Sequence, residues 1–536
     1  MTDAPRASAA AVETELADSA RLLAALPRRL GDIVDINATR HPGRPALRER
    51  GRQWTYATLC EASESAARGL RQAEVRPGDR VMIVGENCAA MVALLFAVGS
   101  LDAWTVLVNA RLSAPEVDAI RDHCAPRRII YLRHVSPEAG AHARRHDADG
   151  ILVIAAMDDV VLGRGSLDGE PEPVHDDAAR QVAALIYTSG TTGLPKGVML
   201  THRNLLFIAK VSSTLRRLGP GDCVYGVLPF SHVYGLASVC LGTLFAGACL
   251  DIEPRYSPKA MLRALTDGAI TVVQGVPAMY ARLLDLIRTL DRPCVAPALR
   301  FLYAGGSPLD PELKAEVERV FGLTLHNGYG LTESSPTVTQ TRIDAPRTDC
   351  SVGMVLPGVA VRVVDAGGGD VREGGAGEVL VRGPNVMLGY YRDAALTAQA
   401  IDGEGWLRTG DIARRESDGA LFIVGRKSEL IIRSGFNVYP AEVEAVLNAH
   451  PAISHSAVIG RKVPGNEEVI AFVELGSGQR ATAPELAQFA APRLAPYKRP
   501  AEIVILSKLP ASATGKILKH QLRMMAEGGM HEPNNY

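Results

Sequence analysis

The sequence predicts an α/β fold: two α/β blocks in series, then a β-rich, barrel-like element, then a compact α+β unit. Three observations predict it. Over positions 33–156, apolar runs of strand length alternate with helical patterns, the signature of a parallel, doubly wound sheet. Over 353–424 the pattern changes to short strands separated by Gly-rich turns, which suits a small antiparallel or barrel-like element. Beyond position 425 helices and strands mix again over about a hundred residues, enough for an independent domain. With 536 residues the chain has room for roughly three to four such units.

Taken in order, the first ~25 residues read as a helical or frayed leader. Strands follow at 80–84, 105–108, 129–132 and 151–154. Helices fall between them at 87–98 and 116–123, the second with Pro115 just ahead of it. A polar stretch, 158–177, separates this block from the next, which carries strands at 223–228, 270–274 and 299–304. The β-rich element begins with strands at 359–364 and 378–382. In the last unit Pro440 opens a helix, where its missing N–H costs nothing. Strands at 457–459, 469–473 and 503–506 and a helix at 486–494 complete it.

Composition narrows the class. Apolar residues make up 47% of the chain and charged residues 22%, enough for a large core. Lys plus Arg (58) balances Asp plus Glu (59), which gives no support for nucleic-acid or membrane-surface binding. The eight cysteines contain no C-x-x-C pair and read as reduced core residues. The N-terminus carries Asp3, Glu13, Glu15 and Asp18, unlike a signal peptide, and the longest apolar run, 88–99, is too short to span a bilayer. The expectation is a cytoplasmic protein without a transmembrane segment. Oligomeric state is not legible.

The densest chemistry lies in Tyr187-Thr188-Ser189-Gly190-Thr191-Thr192-Gly193-Leu194-Pro195-Lys196-Gly197. Glycines let backbone N–H groups approach a ligand, while hydroxyls and the Lys196 ammonium add donors; all suit phosphate oxygens. A Walker A loop runs directly into a helix. Here Pro195 and Gly197 flank the lysine and 198–200 reads as a strand, with Thr201 a good N-cap for the following helix. The loop therefore joins two strands as a flap over phosphates.

Four further clusters carry candidate groups. Asn327-Gly328-Tyr329-Gly330-Leu331-Thr332-Glu333 offers a flat ring for a base, a hydroxyl for phosphate and a carboxylate for Mg²⁺. Asp411, after the turn at Gly410, is placed to bind ribose hydroxyls. Arg426, Ser428 and Gly435 lie at the junction before the last unit. Lys516 ends a Ser- and Gly-containing loop just before a helical pattern, a mobile point charge on a long stem.

Together and in this order, these segments resemble the adenylate-forming (AMP-binding) superfamily, acyl- and aryl-CoA ligase branch, over essentially 33–525. The resemblance implies a large N-terminal domain, 1–425, of two doubly wound α/β subdomains plus a distorted β-barrel. It implies a small mobile α+β C-terminal domain, 426–536, that carries the catalytic lysine. It implies ATP, Mg²⁺ and coenzyme A, and a two-step reaction: a carboxylate attacks the α-phosphate of ATP, and a thiol then displaces AMP. By resemblance, Thr188, Ser189, Gly190, Thr191, Thr192 and Lys196 hold phosphates, and Thr332 and Glu333 serve phosphate and Mg²⁺. Gly305, Gly306, Asn327 and Tyr329 surround adenine, and Asp411 with Arg426 takes the ribose. Lys516 stabilises the adenylation transition state, Gly435 lines a pantetheine tunnel, and the hinge falls at Ser428, where family members commonly carry Asp or Lys.

The segment Pro229-Phe230-Ser231-His232-Val233-Tyr234-Gly235 resembles the one that brings a gating histidine to the carboxylate pocket. The pocket wall, 235–241 and 274–280 with Val276, is mostly apolar and small and supplies no obvious cation. The expected substrate is a fatty or aromatic monocarboxylic acid, joined to CoA. The alternatives are another acceptor (a carrier protein or luciferase-like oxidation) and a nucleotide-binding relative without turnover.

Overall fold

The computed structural model describes residues 20–155, 160–165, 169–189, 195–290, 294–433, 436–463, 466–476, 478–511 and 517–527. Two large mixed sheets dominate. The first has eight strands, with Val182–Ser189, Trp104–Asn109, Arg80–Gly85 and Arg128–Tyr131 side by side and parallel. The second has nine, with six neighbouring parallel strands from Leu325–Gly330 across to Pro45–Glu49. Both are doubly wound, as the alternating pattern predicts.

Burial explains why these strands read as continuous apolar runs. Every residue of Arg80–Gly85 is buried. Val81 and Ile83 face the main core, while Met82 and Val84 face a second core with Val117 and Ile120. A strand covered on both faces has no reason to alternate. The helix Ala89–Ser100 follows the same logic: residues 89–99 are all buried, because side chains of both large sheets join it in one core. This is the apolar run 88–99. No helix among the described residues is long and apolar enough to cross a membrane.

The third sheet is antiparallel, in the order Ala360–Val364, Ala376–Arg382, Leu407–Arg415, Leu421–Arg426. It is an open four-stranded sheet among the described residues, so of the two readings, small antiparallel or barrel-like, the antiparallel one holds and no closed barrel is seen there. After it come the hairpin Ile431–Arg433/Phe436–Val438, the helix Pro440–Asn448 and a three-stranded sheet. Their apolar side chains form cores of their own, from Ile431 to Leu522.

Three local differences from the sequence reading have physical reasons. The polar stretch 158–177 contains the strand Val160–Arg164, which pairs antiparallel with Arg128–Tyr131; its apolar residues were too few to stand out among polar neighbours. Only Gly150–Leu152 of the expected strand 151–154 is extended. Asn327 and Tyr329, read as following a strand, lie inside the strand Leu325–Gly330, since glycines need not end a strand paired on both sides.

All eight cysteines are unpaired, and five of them are buried. Two buried histidines set a pH limit on stability. Burial holds His202 at about 3 and His326 at about 4, against an ordinary value of 6.5. Between pH 6.5 and about 4 the unfolded chain therefore binds protons that the folded chain refuses. Stability is expected to fall as pH falls through that window. A melting temperature that stays level from pH 7 to pH 5 at fixed ionic strength would contradict this.

Candidate functional site

Several of the expected site residues, among them Thr188, His232, Gly305 and Thr332, fall at or just after the C-terminal ends of strands in the two large sheets, where open α/β sheets place ligands. The strand Val182–Ser189 returns antiparallel as Pro195–Thr201, with Thr188 opposite Lys196. The loop is thus a hairpin flap, and the strand runs straight into a helix capped by Thr201 and Asn204. Gly190, Thr191 and Thr192 lie outside the described residues, as do Gly435 and Lys516; Ser189 is placed by its backbone alone.

Lys196 and Glu333 are brought to one place by a residue the sequence reading missed. Tyr390 pairs with Val198 in the first sheet. Its hydroxyl donates to Glu333 Oε1 at 2.8 Å, and the Lys196 Nζ stands 5.7 Å from its ring centre. The main chain helps, because Met387 N–H donates to the Glu333 carbonyl at 2.9 Å. One side chain therefore meets an ammonium over its ring and a carboxylate at its hydroxyl. Burial, with the Glu333 charge beside it, pushes the Tyr390 phenol well above its ordinary range, so it stays a donor. Thr332 is buried next to Glu333 in the one-turn helix Thr332–Ser334.

A second cluster joins three elements. Tyr329 Oη donates to Asp411 Oδ2 at 2.7 Å, and Arg426 Nε lies 2.8 Å from Asp411 Oδ1. Asp411 and Arg426 are direct partners on neighbouring antiparallel strands, and the Thr409 hydroxyl accepts from Asp411 N–H at 3.0 Å. Asp411 is 3% exposed. Its carboxylate thus meets a guanidinium on one oxygen and a phenol on the other, and each carboxylate oxygen can accept more than one hydrogen bond. Burial, with Asp411 beside it, holds the Tyr329 phenol far above its ordinary value.

Asn327 is fastened by its own side chain. Its amide nitrogen donates to the carbonyls of Cys350 and Ser351 at 3.2 and 3.1 Å, and its Oδ1 accepts from Gly328 N–H at 2.9 Å. It shapes the strand end. Gly306 sits exposed at φ +83°, a left-handed conformation that favours glycine. Gly305 N–H donates to Gly275 O at 3.1 Å, which ties the two strand ends together.

The expected carboxylate pocket follows the strand Cys223–Gly226. His232 is exposed, with its Nδ1 accepting from Tyr234 N–H at 3.3 Å. Tyr234 and Gly235 open a π-helix, Tyr234–Leu241, buried throughout. A side chain at Gly235 would lie 2.2 Å from the Pro229 carbonyl, so only glycine permits this turn. Val276 Cγ1 is 3.5 Å from where a Gly306 side chain would begin.

At the junction, Lys427 Nζ pairs with Glu378 Oε2 of the antiparallel sheet at 3.0 Å, and Glu429 Oε2 pairs with Lys519 Nζ at 2.8 Å. Ser428 lies exposed between these two anchors.

Among the described residues no group of three or more His, Cys, Asp or Glu side chains could hold a metal ion. Mg²⁺ in nucleotide sites needs only one or two carboxylates besides phosphates and water. Glu333 fits that need: only one of its oxygens takes the Tyr390 hydroxyl. Replacing Tyr390 with Phe removes the donor and leaves the ring. The expected result is a fall of roughly tenfold in adenylation rate, read by pyrophosphate exchange; an unchanged rate would remove Tyr390 from the site.

Comparison with known proteins gives the family. The model of AMP-binding enzymes matches residues 34–391, and that of the AMP-binding enzyme C-terminal domain matches 442–516. The feruloyl-CoA synthase of Amycolatopsis sp is 35% identical over 502 residues, 92% of this chain and 98% of that protein. The indoleacetate–CoA ligase of Aromatoleum aromaticum is 34% identical, again over 92% of this chain and 98% of its own. Among solved structures, ATP-bound MatB from Rhodopseudomonas palustris superposes with a TM-score of 0.78 at 28% identity, covering 92% of this chain and 99% of that one. The o-succinylbenzoate CoA synthetase (MenE) of Bacillus subtilis with its acyl-adenylate intermediate gives 0.78 and 28%, covering 92% and 97%. The chain belongs to the AMP-binding enzyme family, in its CoA-ligase branch.

Proposed function

We propose that this protein is an AMP-forming carboxylate–CoA ligase that activates an aromatic acid. The observation that supports the reading is the contact of Tyr390 with both Lys196 and Glu333, which gathers two opposite charges around one side chain. Such a site suits a polyphosphate with its cation. The aromatic preference rests on the acids named for its relatives, ferulate and indoleacetate.

In the first step a carboxylate oxygen bonds to the α-phosphorus of ATP while the bond to the bridging oxygen breaks and pyrophosphate leaves. Charge neutralisation is the main demand. Lys196 and Thr188 hold the departing phosphates, Asp411 with Arg426 holds the ribose, and Tyr329 flanks the base. Glu333 would hold Mg²⁺, which when bound offsets phosphate charge, and Thr332 would donate to phosphate. In the second step the CoA sulfur attacks the acyl carbon, and AMP leaves with the bridging oxygen. Lys516 serves the first step and the Gly435 segment the second. This division requires the unit 426–536 to turn against 1–425 near Ser428. The anchoring of Lys427 and Glu429 to opposite sides supports that position.

The test is AMP and pyrophosphate release with Mg-ATP across fatty, benzoic, cinnamic and dicarboxylic acids, each with and without CoA. Turnover that requires both an aromatic acid and CoA and yields a thioester is expected. Pyrophosphate exchange without a thioester would move the acceptor elsewhere. Silence across the panel would overturn the reading.

A further inference from the structure

Two arginines among the described residues are buried, and their charges are met very differently. Arg80 donates to the carbonyls of Gly78, Cys124, Ala125 and Glu170 and lies 3.7 Å from the Glu172 carboxylate. Arg216, just beyond the helix His202–Leu215, is 0% exposed. It donates to neutral oxygens, Gln274 Oε1 at 2.6 Å and Gln340 Oε1 at 3.4 Å, and lies 4.4 Å from the centre of the Tyr303 ring, whose hydroxyl it also meets. No carboxylate among the described residues pairs with it. Its Nε is buried without a partner, and so is Nε2 of Gln274, whose oxygen it bonds.

An arginine cannot shed its proton. A buried charge without a counter-charge is costly, and so is a buried donor without an acceptor. The fold keeps two such donors here. An acceptor-only group would satisfy them, and an ionised carboxylate is one.

The place adjoins the expected acid pocket. The Tyr303 ring meets Tyr234 edge-on at 6.2 Å between centres. A side chain at Gly305 would lie 3.3 Å from Tyr303 and 3.5 Å from Tyr234. Tyr234 Oη donates to the carbonyl of Gly275 at 3.4 Å, the residue after Gln274. Arg216 therefore stands one side-chain layer behind Tyr234 and Gly305. We propose that Arg216, with Gln274, is the specificity-determining site for a second anionic group, a carboxylate, at the end of the acid remote from the reacting carboxylate. The inference rests on the ligase reading above for its pocket. The expectation that the wall holds no cation rested on 235–241 and 274–280 alone; Arg216 enters from another helix.

The experiment measures calorimetric binding of paired acids to the full chain: succinate, adipate, terephthalate and 4-carboxycinnamate, each beside its monomethyl ester. At least one free diacid is expected to bind roughly 10- to 100-fold tighter than its ester. Arg216→Met should level that pair, and Arg216→Lys should keep part of the preference. Equal affinities for every pair in the native chain, or a preference that survives in Arg216→Met, would overturn the proposal. If Arg216→Met does not fold, as read by its melting curve, the ratio in the native chain still decides. The thioester assay distinguishes the two readings: turnover of esters and diacids alike sinks only this inference. A diacid preference in binding with no thioester from any acid sinks only the ligase reading.

Discussion

Lys516→Ala is expected to lower the adenylation rate by ~10²–10³, the usual loss when one transition-state charge contact is removed. Thioester formation from supplied acyl-AMP should largely survive, because the second step no longer involves pyrophosphate. Lys516 itself lies outside the described residues, but its surroundings are anchored. Ala511 and Ile517 pair across the segment that carries it, and Lys519 on the next helix is held by Glu429 and Glu444, both at 2.8 Å. The substitution therefore tests one charge on a loop with fixed ends. Equal loss of both half-reactions would reject this division of labour.

Asp411→Ala is expected to raise the KM for ATP by on the order of 10²-fold. The change removes the counter-charge of Arg426 and the acceptor of the Tyr329 hydroxyl together. Asp411→Asn keeps the shape and loses the charge, so it should fall between the native chain and the alanine variant. The KM for the acid should move little, since Asp411 meets Tyr329 and Arg426, both assigned to the nucleotide. Kinetics at varied ATP would show this; an unchanged KM for ATP in Asp411→Ala would remove the carboxylate from the nucleotide site.

How much of this was legible depends on the range of each signal. The phosphate hairpin is local: Pro195, Gly197 and the Thr201 cap all lie within one stretch, and strand, turn and helix start followed from them. Asp411 and Arg426 also sit close in sequence, opposite each other across one turn. Tyr390 and Arg216 carry no such local mark. Tyr390 acquires meaning only when a short edge strand pairs with Val198 and brings it to both Lys196 and Glu333. Arg216 follows an unremarkable helix, and its isolation from carboxylates is a property of the packed interior. Asn327 is a similar case: the bonds of its amide to the 350–351 loop join distant segments and carry no local mark in the sequence.

The most direct test of the account uses an aromatic acid with both carboxylate oxygens labelled with ¹⁸O, turned over with Mg-ATP and CoA. If the acyl group is carried on the α-phosphate, the released AMP must contain one labelled oxygen from the acid, together with unlabelled pyrophosphate and an acyl-CoA. Label in inorganic phosphate, or unlabelled AMP alongside thioester, would contradict the acyl-adenylate and with it the roles given to Lys196, Glu333 and Asp411.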